Sequence, residues 1–581
     1  MNRLWMGAWW MMLVIWFGAT DAVAIAPQAS RRQFHAPLSG VEIEASVLFS
    51  EPGEFGAYPI RMRIKNGTGE DLTWRVTMTS GRNGGWSDNF VSNAELVVPK
   101  GESKQFELFT VLLPNASDGY NSPQTVRIGV RGYGVGTAEH TFAQPYRDYK
   151  LAKLPYVVLS PEIALRSASV LASEFTKASK AFPGVTIDLK ILPEDWRLLT
   201  GTAAIWMSLG EWHGLSTAQA DAMASWMLLG GKLVLFSSQG SSLSQGDLRM
   251  PFLGRWNGIK GSYGLGEVEV VAWDGYEVSF SDALALVSEP ASLPVDPGER
   301  PLSEIWRLVD RVPAPELNTF LVVTLLFIYA VVVGPLNLRY SARRGARQLL
   351  FVTTPVIAAV SCVVLFGLIV MRDGFGGWGS RAAAVLIEGK TNRAVVAQEQ
   401  LSRTGVLLDD SVSLSSDYLM IPLNLFKRGY RSERLTYVTN GNEYTSGWLN
   451  NRARQGQLVF GVVPTRARIT HIPSSRTVVS SIETELKTIF VKDEKGLWWK
   501  ATKVLPGRPA KLAAATSGEF LVWSQGSIER VAGPSINNQL SAMRGEPSVF
   551  FAEAVSDGGF SIPAFKQFDW EHAATIFYGP L

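Results

Sequence analysis

Glu211 and His213 flank Trp212 directly after an apolar run, AAIWMSL, that reads as a strand. A carboxylate beside an imidazole is a means of making a general base. Ser237 and Ser238 follow a second such run, KLVLF, and bring hydroxyls to the same kind of strand end. In an open α/β sheet that edge is where ligands tend to sit. Glu211, His213, Ser237 and Ser238 are therefore the candidate ligand crevice, and the plain alternative for them is a solvated loop.

The remaining chemistry is thin. The chain has one cysteine, Cys362, inside an apolar run, so disulfides and thiolate metal clusters are not expected. Its five histidines, His35, His140, His213, His471 and His572, have no neighbour that completes a zinc spacing. No G-x-S-x-G elbow is present for a serine nucleophile. Asp409, Ser411 and Ser413 have the spacing of an Asp-x-Ser-x-Ser metal motif, but β-like surroundings make them a polar turn. The glycines from Gly374 to Gly379 fit G-x-G-x-x-G but follow an apolar helix rather than a strand. Gly389-Lys390-Thr391 resembles the end of a phosphate loop, yet Ala384 stands where its leading glycine belongs. No cofactor or metal is expected.

The elements that must position the crevice follow from the pattern. Residues 150–300 alternate short apolar runs with helical periodicity, which implies an α/β domain with a mainly parallel sheet. Residues 163–182 read as a helix with Leu171, Phe175, Ala178 and Phe182 on one face. Ser216 and Gln219 form a capping box for a second helix that stops at Gly230-Gly231. Before this lies 40–147, seven alternating runs separated by turn residues, expected as an immunoglobulin-like β-sandwich with Trp74 in its core. After residue 380 the chain is again β-rich. A second β-sandwich domain is expected over 380–491 and a β-rich C-terminal part over 492–581, with a short helix over 535–543.

Between these flanks are two charge-free apolar stretches, 318–338 and 349–371, each long enough at about 1.5 Å per residue to span about 30 Å of hydrocarbon. The turn between them, 339–348, carries Arg339, Arg343, Arg344 and Arg347 and no acid. The positive-inside rule places that turn in the cytoplasm. Residues 1–24 have the layout of a signal peptide: Arg3, an apolar run and Ala22-Val23-Ala24. Both flanks are thus expected to be periplasmic and the chain to sit in a bacterial inner membrane. Gly334 and Gly367 are expected to allow close helix approach, and Trp306 and Trp378 to lie at the lipid interface. The spans lack the charges of an ion path, so a channel or transport subunit is disfavoured. A net charge of +3 on 581 residues gives no nucleic-acid footprint.

The stretch LPEDWRLLTGTAAIWMSLGEWHGLSTAQADAMASWMLLGGKLVLFSS resembles the flavodoxin-like domain of class I glutamine amidotransferases. It is closer still to catalytically dead versions in exported bacterial inner-membrane proteins. Tyr329, Gly334, Pro335, Asn337 and Pro355 resemble the hairpin pattern of that group. The resemblance implies a multidomain membrane protein without enzyme activity, because the turn after KLVLF has Ser237-Ser238-Gln239-Gly240 where the amidotransferase nucleophile would be a cysteine. It also implies partners among envelope proteins, with a link to MoxR-type ATPase systems for some members. The expected role is a membrane-anchored periplasmic scaffold. The alternative is a small-ligand receptor or hydrolase using the α/β domain.

Overall fold

The computed structural model describes residues 31–49, 55–82, 89–113, 124–136, 139–143, 157–178, 184–187, 189, 192–240, 243–288, 306, 308–312, 319–345, 347–407, 409–423, 434–450, 453–528 and 532–581. The signal-like segment 1–24 and Asn318 lie outside them. The protein is sheet-rich, with several β-sheets and two helices long and apolar enough to cross a membrane. It divides into two compact units: Met1–Trp74, Leu96–Phe109 and Asn121–Ser292 form the first, and Arg75–Glu95, Thr110–Tyr120 and Leu293–Leu581 the second. The stretch 40–147, expected as one sandwich domain, is therefore shared out between the two units.

In the first unit the N-terminal strands alternate as read. Val41–Val47 buries Val41, Ile43, Ala45 and Val47 on one face and pairs antiparallel with Gly56–Asn66. Trp74 is fully buried, as core, and its indole N–H donates to the Tyr133 carbonyl at 2.9 Å. Gly56 adopts φ +96°, and a Cβ there would meet the Thr200 carbonyl oxygen at 2.3 Å. Only glycine lets this strand lie so close on the helical turn Trp196–Leu199. The Thr200 hydroxyl then accepts the Ala57 N–H at 3.1 Å.

The α/β part contributes β1 (Val157–Leu159), α1 (Pro161–Lys177), β2 (Gly184–Thr186), β3 (Ala204–Ser208), α2 (Leu209–His213), α3 (Thr217–Leu228), β4 (Lys232–Ser237), β5 (Lys260–Tyr263), β6 (Gly266–Ala272) and α4 (Phe280–Ser288). One six-stranded sheet has the order β2-β1-β3-β4-β6-β5. All neighbours pair in parallel except the β5–β6 hairpin. Strands β3 and β4 are buried on both faces, which is why they read as unbroken apolar runs. Helix α1 runs to Lys177 with Ala178 as its C-cap and buries Ile163, Leu171 and Phe175 against the sheet, while the expected face residue Phe182 lies outside the described residues. The capping box at Ser216 and Gln219 is formed. Gly230 takes a positive-φ stop conformation at φ +112°. Gly231 has a different reason to be glycine: a Cβ there would meet the Trp226 ring at 2.2 Å.

In the second unit the elements are α5 (Thr319–Val331), α6 (Asn337–Arg343), α7 (Leu350–Asp373), β7 (Gly377–Glu388), β8 (Arg393–Thr404), β9 (Tyr418–Leu423), β10 (Arg434–Val438), β11 (Arg454–Pro464), β12 (Leu486–Lys492), β13 (Trp498–Val504), α8 (Pro534–Arg544), β14 (Val549–Ala554) and β15 (Phe568–Pro580). A nine-stranded sheet runs β9-β11-β8-β7-β15-β14-β12-β13 and then Ala513–Ala515. Its first and last long strands, β7 and β15, are parallel neighbours. The boundary expected at 491 is thus overturned, because one sheet takes strands from both sides of it. Alternation shows that a segment is a strand but not which strand it joins. The strand Asn89–Val98, which precedes the apolar helices in sequence, pairs in parallel with β10, which follows them; Asn89 to Asn93 match Arg434 to Val438.

Helices α5 and α6 are joined by a π-helical turn, Val332–Leu336, that contains Pro335. Proline lacks an N–H to donate, and the widened turn absorbs its ring without ending the helix. The helix therefore continues to Arg343 instead of stopping at 338, which carries Arg339 and Arg343 on its last turns and shortens the expected 339–348 loop. The Arg344 guanidinium lies over the Tyr340 ring, 4.6 Å from its centre. Helix α7 runs unbroken through Pro355, which sits near its start. Only 6% of the first apolar window and none of the second is buried within the protein, so their apolar faces look outward. Helix α7 is tied directly to the sheet: Val406 N–H donates to the Gly374 carbonyl at 3.0 Å, and Gly376 N–H donates to the Val406 carbonyl at 3.0 Å.

Candidate functional site

All four crevice residues lie at the C-terminal ends of β3 and β4, adjacent parallel strands with Ser208 opposite Phe236. Between β1 and β3 the connections leave in opposite senses, so this edge is also the switch point of the parallel sheet. The chemistry of the four residues is another matter.

Glu211 does not face an empty crevice. Its carboxylate accepts the Ser160 hydroxyl at 2.5 Å, the Glu162 N–H at 3.0 Å and the Ser208 N–H at 2.9 Å. Ser160 is the N-cap of α1, Glu162 lies in its first turn, and Ser208 ends β3. The same glutamate completes a capping box, since the Ser208 hydroxyl accepts the Glu211 N–H at 3.2 Å. A carboxylate of this chain thus occupies the position where helix N-termini present N–H groups to anions.

His213 is held away from that carboxylate. Its Nε2 lies 2.7 Å from the Asp247 carbonyl oxygen, so that nitrogen carries a hydrogen and donates there. Its own carbonyl accepts from Arg249 at 3.3 Å. Asp247 is the hub of the loop: its carboxylate accepts the Ser244 hydroxyl and N–H at 2.7 and 2.8 Å, and those bonds hold its carboxyl below the usual range. Ser237 is buried, with its hydroxyl accepting the Gln239 N–H at 3.1 Å. Ser238 is exposed. Among the described residues no hydrogen bond links Glu211 or His213 to Ser237 or Ser238, so the acid–base pair and the hydroxyls share an edge without forming a relay.

The other candidates are also placed. The Asp409 carboxylate accepts the Ser411 N–H at 2.9 Å, a polar turn as read, and no group of three metal-ligating side chains occurs among the described residues. In the hairpin, Asn337 is buried and donates to the Thr354 hydroxyl at 3.2 Å, while Thr353 bonds within its own helix to the Leu349 carbonyl. Tyr329 is half-buried in α5. The glycine expectation fails: a Cβ at Gly334 or Gly367 would meet nothing within 4 Å, so neither is needed for close approach. Trp306 is 2% exposed and belongs to the protein core instead of the lipid interface, whereas Trp378 is 38% exposed. Of the turn arginines, Arg339, Arg343 and Arg344 are exposed.

Two polar centres were not legible as sites. Lys232, at the opposite end of β4, is buried between Glu267 and Glu269 at 3.0 and 2.9 Å. Glu399 in β8 is fully buried and accepts N–H groups from Gly533 and from Ile536 at 3.2 Å, at the start of α8. Burial pushes its carboxyl up to about 7. Lys232 opens an otherwise largely apolar strand, KLVLFS, whereas Glu399 stands between Gln398 and Gln400 in RAVVAQEQLSRT and carries no such signal.

No family model matches the chain, and no curated protein matches it with significance. Solved structures with partial likeness include a cycloisomaltooligosaccharide glucanotransferase from Paenibacillus sp., at 11% identity and TM-score 0.16 over 33% of this chain and 27% of that one. Another is Bacteroides uniformis beta-glucuronidase 2, at 14% identity and TM-score 0.15 over 34% and 23%. This chain spans about a quarter of the length of these structures. At such TM-scores the likeness determines neither fold nor chemistry.

Proposed function

We propose that the protein is a non-enzymatic scaffold anchored in a bacterial inner membrane by the α5–α7 hairpin, with both flanks in the periplasm and the arginine-bearing turn in the cytoplasm. The order of the parallel strands, with β1 between β2 and β3, supports the flavodoxin-like reading of the α/β part. The observation that carries the non-enzymatic reading is Glu211. Its carboxylate fills the strand-end position and is spent on three donors, so the place where such a fold takes a ligand has a structural occupant.

Topology has its own support. Strand Asn89–Val98 and β10 can pair only if the chain before and after the hairpin lies in one compartment, which two crossings provide. Four arginines and no acid in the turn then favour the cytoplasm for the tip. In this reading the partners are other envelope proteins, within an assembly of the ATPase-linked kind that the resemblance implies.

Thermal unfolding of the purified full chain against pooled small metabolites tests the non-enzymatic reading, since any tight ligand must raise the melting temperature by mass action. No shift that depends on Glu211, His213, Ser237 or Ser238 is expected. A shift abolished by His213→Ala would instead establish a receptor or hydrolase at this edge.

A further inference from the structure

The turn between β7 and β8 faces the segment that follows β11. Asn392, Pro464, Thr465, Arg466 and Arg468 line an open groove of about 430 Å³. That volume is in the range of small-molecule sites. Residues 389–393 and 464–468 contribute Lys390, Arg393, Arg466 and Arg468 and no acid. The groove is built by specific bonds. Thr465 N–H donates to the Asn392 carbonyl at 2.8 Å and joins the two segments. Asn392 Oδ1 accepts from the Arg468 guanidinium at 3.3 Å, which orients that side chain. The Arg466 guanidinium is exposed and has no side-chain hydrogen bond or ion pair among the described residues. Glu388, the nearest acid in sequence, is turned inward: its carboxylate accepts the Lys390 N–H at 3.2 Å, and burial raises its carboxyl above the usual range.

We propose that this groove binds a small soluble ligand bearing a phosphate or similar oxyanion, with Arg466 and Arg468 as the charge-assisted donors. Planar guanidinium forks match the oxygens of such a group, and two of them on one rim favour a multiply charged anion over chloride. The bilayer that holds the hairpin is not the source. Strand β7 starts four residues after α7 ends and runs 12 residues to Glu388, which at about 3.3 Å per residue carries the chain ~40 Å from the helix end.

The probe is inorganic pyrophosphate, titrated by calorimetry into the full chain at constant ionic strength. The chain is held once in phosphatidylcholine nanodiscs and once in phosphatidylglycerol nanodiscs. Saturable binding at one site is expected, equal in both lipids. The double variant Arg466→Gln/Arg468→Gln should weaken it by about tenfold or more, and Lys566→Gln, exposed near the opposite end of β7 from the groove, should leave it unchanged. Because both groove arginines are exposed, the double variant should melt as the parent does without pyrophosphate, which separates lost binding from lost fold. Absence of saturable binding, or equal binding in the parent and the double variant, overturns the proposal. Loss of binding in phosphatidylglycerol alone would mean that lipid headgroups reach the groove, and would overturn the soluble-ligand assignment.

Discussion

Asn440 and Glu95 hold each other by both ends of one peptide-like contact: Asn440 Nδ2 donates to the Glu95 carbonyl at 2.8 Å, and Glu95 N–H donates to Asn440 Oδ1 at 2.9 Å. Residue 95 precedes the two apolar helices and residue 440 follows them. The amide side chain extends the parallel pairing of Asn89–Val98 with β10 past its last strand residue, Val438. Parallel strands need a long crossover, and here the crossover contains the whole hairpin.

Replacing Asn440 by alanine removes both bonds. The site is exposed, so water compensates in part, and a loss of about 1–2 kcal/mol is expected. Chemical denaturation of the full chain in detergent measures it. A loss confined to the surface-mutation range of about 0.5 kcal/mol or less would mean that the pairing does not depend on this clamp.

Glu211→Ala leaves the Ser160 hydroxyl and the Glu162 and Ser208 N–H groups without their acceptor. At about 1–3 kcal/mol for each buried unmet donor that water cannot reach, a loss near 3 kcal/mol is expected for the first unit. Formate should recover part of it, because a free carboxylate can enter the space that the side chain leaves. An alanine variant as stable as the parent would show that this carboxylate is not structural, and would reopen the edge as a ligand site.

The strand-end location of Glu211, His213, Ser237 and Ser238 was legible because AAIWMSL and KLVLF are short apolar runs with clear ends. What the glutamate does was not legible, since its partners Ser160 and Glu162 come from the start of α1 some 50 residues away and no local pattern links them. The same holds for Gly230-Gly231. The first glycine is a helix stop in any sequence, whereas the second is needed only because Trp226 folds back onto it. The domain boundary at 491 failed for a related reason: β15 joins β7 nearly 200 residues earlier, a choice made by packing.

Glu399 makes stability depend on pH. Its carboxyl rises from an ordinary 4.5 to about 7 in the folded protein. Between those values the folded state holds a proton that the unfolded state has released, so stability falls as pH rises through this window and levels off above about 7. A shift of this size corresponds to about 3 kcal/mol in total. Glu399→Gln should remove this part of the slope. A pH profile unchanged by the substitution would place the dependence on other groups.

Gly533 is the close neighbour of that carboxylate, with a Cβ position 2.5 Å from Glu399 Oε2. Gly533→Ala must therefore push the carboxylate off the start of α8, and a loss of about 2 kcal/mol or more is expected from the lost cap and the overpacking. Unchanged melting would show that α8 can shift to make room.

The most direct test of the anchored-scaffold account is cysteine labelling on spheroplasts. In a Cys362→Ala background, single cysteines replace Thr391, Ser216 and Gly345 in turn, and a membrane-impermeant maleimide is added before and after permeabilisation. The account predicts labelling at 391 and 216 in intact spheroplasts and at 345 only once the membrane is opened. Labelling at 345 from outside, or protection of either flank until permeabilisation, would contradict it.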